Sequence, residues 1–169
     1  MKKVLILDFG GQYNLLIARR VRQSGAVCEI KSYRTPLTEI KAFSPDAVIL
    51  TGGPATVFDE GAPTIDKSVF EMGVPVLGIC YGMQLMVYTL GGNCRKADKR
   101  EYGKVLLNHV PSPLFKDVPD TSVCWMSHGV EVDSLPEGFK TTATSDYCGF
   151  CAVENEEKKL YGVQFHPEV

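Results

Sequence analysis

Cys80 lies in Val76-Leu77-Gly78-Ile79-Cys80-Tyr81-Gly82-Met83-Gln84, a short apolar run, a Gly-x-Cys-x-Gly turn and then a helical pattern. This is the thiol counterpart of the Gly-x-Ser-x-Gly nucleophile elbow, in which a sharp strand-to-helix turn holds the attacking atom exposed. A glycine two positions either side keeps side chains clear of the turning backbone and of an incoming substrate. The helix after the turn aims its N-terminus at the sulfur, which favours thiolate over thiol. Further along, Phe165-His166-Pro167-Glu168 offers a base and a carboxylate. In an extended segment, residues two apart point to the same side, and Pro167 fixes the local backbone. Glu168 is therefore expected to accept a hydrogen bond from His166 and hold its tautomer. A nucleophile, a base and an orienting acid suffice for acyl transfer through a thioester.

A carbonyl under attack also needs two fixed donors for its oxygen. The N–H of Tyr81, directly after the nucleophile, is one candidate. Gly53, in the turn Thr51-Gly52-Gly53-Pro54 after an apolar run, is the other. Two further histidines compete with His166. His128 sits in Trp125-Met126-Ser127-His128-Gly129, where a glycine lets backbone approach a ligand, and His109 reads as structural or exposed at a strand end.

These residues need a scaffold. Val4–Leu7 reads as a buried strand, and Val27–Ile30, Ala47–Leu50 and Val74–Ile79 as the strands that follow. Helices are expected at 12–23, with Leu15, Leu16, Ala18 and Val21 inward, at 64–72 and at 83–90. Continuous apolar strands alternating with helices indicate a parallel sheet covered on both faces. From about residue 93 the pattern turns to strands joined by Pro- and Gly-containing turns, so the second half is β-rich and folds back on the first. Gly53 and Cys80 both fall at carboxyl ends of strands, where ligands bind in open α/β sheets.

A chain of 169 residues, 44% hydrophobic and 22% charged, reads as one domain able to bury its own core. Its net charge of −2 and interleaved signs speak against nucleic-acid and anionic-membrane partners. The densest basic stretch, Arg95 to Arg100, reads as a solvated loop. No apolar run is long enough to cross a bilayer, and Asp8 interrupts the first apolar run, so a cytoplasmic location is expected. The six cysteines are then expected to be reduced. Cys148-Gly149-Phe150-Cys151 has CxxC spacing but precedes a strand-like run and has no companion ligand pair. Two buried or turn thiols are expected there, with no metal.

The elbow Gly78–Gln84 together with Gly162-Val163-Gln164-Phe165-His166-Pro167-Glu168 resembles the class I (triad) glutamine amidotransferases. Within that family, Leu7–Tyr13, Leu16–Arg22, Cys80-Tyr81-Gly82, Arg100-Glu101-Tyr102-Gly103 and Ser127-His128-Gly129 are similar to the glutaminase domains of the GMP synthase branch. The resemblance implies an α/β, flavodoxin-like fold with an open, mostly parallel sheet flanked by helices and a β-rich C-terminal half. It implies that Cys80 attacks the side-chain amide of glutamine to give a γ-glutamyl thioester and ammonia. His166 would protonate the departing ammonia and then activate water, with Glu168 orienting it and Gly53 and Tyr81 as the oxyanion hole. Gln84 and the Ser127-His128-Gly129-Val130 segment would hold the substrate. Ammonia would pass to an ATP pyrophosphatase (synthetase) partner, which uses ATP and magnesium to turn XMP into GMP. No cofactor is implied in this chain.

The chain departs from the pattern in two places. Aspartate usually follows Ser-His-Gly, where it can pair with the substrate's α-ammonium group, and Val130 stands here instead. Glu131, next along, is expected to point elsewhere. The domain is expected to occupy residues 1–169, shortened at its C-terminus and without the ATP pyrophosphatase domain. Two other readings stay open: a non-catalytic partner of the same fold that binds glutamine or regulates, and another cysteine hydrolase such as a γ-glutamyl hydrolase. Fold alone does not choose among them.

Overall fold

Leu5, Ile6 and Leu7 are consecutive and all completely buried, which a strand achieves only when both its faces are covered. The computed structural model describes residues 1–169 and shows what covers them. Its elements run β1 (Lys3–Asp8), α1 (Asn14–Gln23), β2 (Val27–Ser32), α2 (Leu37–Phe43), β3 (Ala47–Leu50), β4 (Val76–Ile79) and α3 (Tyr81–Thr89). There follow β5 (Asn93–His109), β6 (Thr121–Ser134), β7 (Lys140–Thr144), β8 (Ala152–Asn155) and β9 (Leu160–Val163), with 3₁₀ turns at Lys67–Glu71 and Pro113–Phe115. All nine strands form one sheet in the order β2-β1-β3-β4-β9-β8-β7-β5-β6. Pairing is parallel from β2 to β9 and antiparallel from β9 to β6. The fold is the α/β architecture expected from the sequence.

Alternation along the strands divides the core in two. Leu5 and Leu7 of β1 join Val48 and Leu50 of β3, Ile40 of α2 and Met83, Leu85 and Met86 of α3 on one face. Ile6 joins Ile17 and Ala18 of α1 with Ile79 and Val163 on the other. Each fully buried Leu or Ile contributes roughly 1.5–3 kcal/mol. The sheet thus fixes the carboxyl ends of β1, β3, β4 and β9 side by side.

Several sequence expectations are corrected. Leu15 is 80% exposed. The inward stripe of α1 is Asn14, Ile17, Ala18 and Val21, an i, i+3, i+4, i+7 set from which Leu15 is offset by a quarter turn. The helix expected at 64–72 is a short 3₁₀ turn, in which Asp66 accepts a hydrogen bond from the Ser68 N–H and the adjacent Val69 and Phe70 are both buried. The helix α2 after Pro36 was not read from the sequence. Arg95–Arg100 is no solvated loop: it belongs to β5, which pairs with β6 but loses register between Lys96 and Glu101. No helix is long and apolar enough to cross a membrane.

Candidate active site

At the end of β4 the chain turns into α3 through Cys80, whose φ of 53° and ψ of −107° are unusual for any residue but glycine. Such a conformation costs on the order of 1–3 kcal/mol and persists only where its surroundings fix it. They do: Cys80 N donates to Val163 O at 2.8 Å, and Cys80 O accepts from Gln84 N at 3.1 Å. The flanking glycines serve the packing of α3. A Cβ on Gly82 would stand 2.4 Å from Leu50 O, and one on Gly78 2.5 Å from Gly82 O. The obstacle is backbone in both cases, so helix and sheet can meet this closely only at glycine.

His166 and Glu168 follow β9. The segment is a turn, with Val169 N donating to His166 O at 3.3 Å, so the extended segment expected there is absent. The turn nevertheless brings His166 Nδ1 to 3.1 Å from Glu168 Oε1, with both side chains buried. His166 N donates to Trp125 O, and Arg20 Nε donates to Glu168 O at 3.0 Å. Tyr13 meets the imidazole edge-on at 5.3 Å. Burial alone would lower the His166 pKa, but hydrogen bonds with Cys80 and Glu168 and the negative charge of both raise it to about 9. His166 is therefore held protonated at neutral pH.

The sulfur has two more neighbours. Gln164 Nε2 donates to Cys80 Sγ at 3.5 Å, and Ser127 O lies 3.6 Å from it. Gln84 Nε2 bridges Gln164 Oε1 at 3.1 Å and Val130 O at 2.9 Å. Gln84 thus fastens the α3 elbow to the Ser127–Val130 strand and spends its amide hydrogens there. His128 is buried, with Nδ1 3.1 Å from Val130 O and Nε2 3.1 Å from Glu101 Oε1, while Ser145 Oγ donates to Glu101 Oε2 at 2.8 Å. Both imidazole nitrogens are occupied within the protein.

Tyr81 is the first residue of α3, so its N–H has no intrahelical acceptor. The Gly53 N–H makes no hydrogen bond within the protein. Gly53 is held against the β1–α1 connection, where a Cβ would meet Phe9 O at 2.3 Å. Gly52 faces Cys80 and His166, since a Cβ there would lie 3.1 Å from His166 Cε1 and 3.6 Å from Cys80 Cβ. Gly52, Gln164, Tyr13 and Arg20 were not singled out as site residues from the sequence. Gln164 could have been: it sits two residues before His166 and is polar in an otherwise apolar strand end.

Cys80, Tyr81, Gly52, Gly53, Gln84, His166 and the whole Ser127–Val130 segment line one cleft of about 600 Å³. Glu131 lies outside it, paired with Arg95 Nε at 3.1 Å. His109 is also elsewhere, stacked on Phe115. Cys148 and Cys151 are buried free thiols, as expected for this pair. The Cys148 sulfur lies within 4.8 Å of the Glu101 and His128 ligand atoms, but those polar atoms already have partners in the protein.

Residues 5–169 match the family model described as glutamine amidotransferase class-I. The chain belongs to the class I glutamine amidotransferases. It is 55% identical over 167 residues to a glutamine-hydrolysing GMP synthase of Caldicellulosiruptor saccharolyticus, and 56% identical to one of Clostridium novyi. Those alignments take in 98% of this chain and 33% of each relative, so the chain spans about a third of the length of the curated relatives it matches. Among solved structures, one named for a GMP synthase subunit from Thermoplasma acidophilum superposes with a TM-score of 0.88 at 28% identity. That match covers 100% of this chain and 85% of the other. A glutamine amidotransferase of Thermotoga maritima, at 23% identity and a TM-score of 0.78, shares the fold, covering 99% of this chain and 76% of the other.

Proposed function

We propose that this amidotransferase chain hydrolyses the side-chain amide of glutamine and supplies the ammonia to a synthetase part that aminates XMP to GMP. The observation that carries the reading is the strained Cys80 elbow, which lines one cleft with an imidazole that Glu168 holds at 3.1 Å. The Cys80 sulfur attacks the amide carbon, and the oxygen that becomes negative is received by the N–H groups of Gly53 and Tyr81. Protonated His166 gives its proton to the departing nitrogen, which leaves as ammonia. The imidazole, now neutral, takes a proton from water as it attacks the γ-glutamyl thioester, which releases glutamate and restores the pair.

Gln84, Ser127, His128, Gly129 and Val130 form the wall along which the amino-acid end of glutamine lies. Gln84 and His128 act by positioning, because their polar atoms are spent on Val130 O, Gln164 and Glu101. ATP and magnesium belong to the synthetase part, and the relatives' length supports its existence as a fused or separate partner. The reading is tested by glutamine-dependent ammonia release. Cys80→Ala is expected to reduce it at least about 10³-fold without unfolding the chain. Undiminished release from that variant would refute the assignment.

A further inference from the structure

The register loss in β5 has a geometric consequence at the cleft. Lys96 pairs with Val130 and Glu101 with His128, so four residues of β5, 97–100, stand opposite the single residue Gly129. Bulges of this kind re-aim side chains beside active sites. Glu101 turns inward and is anchored by His128 and Ser145. Its neighbour Arg100 turns the other way and lies across Gly129: a Cβ on that glycine would be 3.1 Å from Arg100 Nε and 3.4 Å from both Cδ and Cζ. The glycine leaves room for the arginine.

Arg100 forms no ion pair and no side-chain hydrogen bond in the protein, and neither does Lys96, which lines the same cleft. Among the residues lining the cleft there is no aspartate and no glutamate. The neighbouring acids Glu131 and Glu101 are engaged elsewhere, Glu131 with Arg95 and Glu101 with His128. Lys96 and Arg100 face the site with no carboxylate opposite them, and the guanidinium fork fits a carboxylate bidentately. Its position suits the substrate. Ser127 O touches the Cys80 sulfur, and Gly129 lies two residues on, roughly 7 Å along the strand. An extended glutamine bridges that span from its reacting amide to its α-carboxylate.

Building on the glutaminase reading, we propose that Arg100, with Lys96 in the same cleft, binds the α-carboxylate of glutamine, so that recognition rests on the carboxylate rather than on the α-ammonium group. With Val130 in the wall and Val130 O already taken by Gln84 and His128, the ammonium meets no carboxylate and no free carbonyl at that position. The site therefore takes γ-amides that carry a free α-carboxylate and tolerates loss of the α-amino charge.

The test compares labelling of Cys80 by a diazo-ketone analogue of glutamine with labelling by the same compound carrying an α-carboxamide, and by its N-acetyl form. The unsubstituted chain is expected to need about tenfold or more of the carboxamide for half-maximal rate, and only about twofold more of the N-acetyl form. Arg100→Gln should raise the half-saturating concentration for the carboxylate compound about tenfold or more, leave that for the carboxamide within about twofold, and spare the rate at saturation. Arg100→Lys should recover part of the loss. Reaction with iodoacetamide at an unchanged rate shows that the variants keep a folded, reactive Cys80. Equal labelling by the carboxylate and carboxamide forms, or an equal effect of Arg100→Gln on both, overturns the α-carboxylate subsite while the glutaminase reading stands. Absence of saturable Cys80 labelling by any of the three compounds overturns both.

Discussion

At the scale of single residues, the balance at His166 decides what the site can do. Burial opposes the imidazolium, and the hydrogen bonds and charges of Cys80 and Glu168 overcome it to give a pKa of about 9. NMR titration of the His166 ring should therefore show a midpoint near 9, and both Glu168→Gln and Cys80→Ala should move it down toward the ordinary 6.5. An unshifted midpoint in both variants would contradict the ion-pair account. Because the folded value lies above the unfolded one, the stability this pair adds is fully present below about pH 6.5 and is lost as pH rises through about 9. The residues proposed to react are the ones local sequence reveals, because an elbow and a His-x-Glu spacing are short-range patterns. Arg20 and Gly52 reach Glu168 and His166 across 148 and 114 positions of chain, and nothing near them in sequence marks those contacts; Gln164, 84 positions from Cys80, is marked only by its place two residues before His166.

At the scale of elements, the site depends on how closely α3 approaches the sheet. Gly82→Ala places a methyl group 2.4 Å from Leu50 O, a backbone atom held by the β3 pairing. The substitution should cost about 1–3 kcal/mol in a urea unfolding experiment and slow Cys80 labelling, because the helix N-terminus must shift. A variant as stable as the parent would show that α3 has slack. Strands β1, β3, β4 and β9 were legible because burial on both faces leaves an uninterrupted apolar run. The segment Arg95–Arg100 was not, since its charges alternate between partners on two sides of an edge pairing: Arg95 toward Glu131, Arg100 toward the cleft. Charge content alone cannot distinguish that strand from a solvated loop. Helix α2 has one fully buried residue, Ile40, too little to show a helical period.

At the scale of the whole molecule, one sheet places the proposed nucleophile, base and oxyanion donors on three neighbouring strand ends, those of β3, β4 and β9, and its antiparallel half supplies the wall that faces them. An ammonia-producing site is most useful when it waits for its acceptor, since uncoupled hydrolysis wastes glutamine. The chain alone is therefore expected to release ammonia slowly, and a synthetase part charged with ATP, magnesium and XMP should raise the rate at least several-fold. Rapid release by the chain alone, with no response to the synthetase, would contradict that coupling. The central claim is that a formed glutamine pocket and one activated sulfur already exist in residues 1–169. Intact-mass spectrometry after incubation with the diazo-ketone analogue, followed by peptide mapping, tests it most directly. A single adduct on Cys80, prevented by glutamine, is the predicted result; no adduct, or adducts spread over several cysteines, would contradict it.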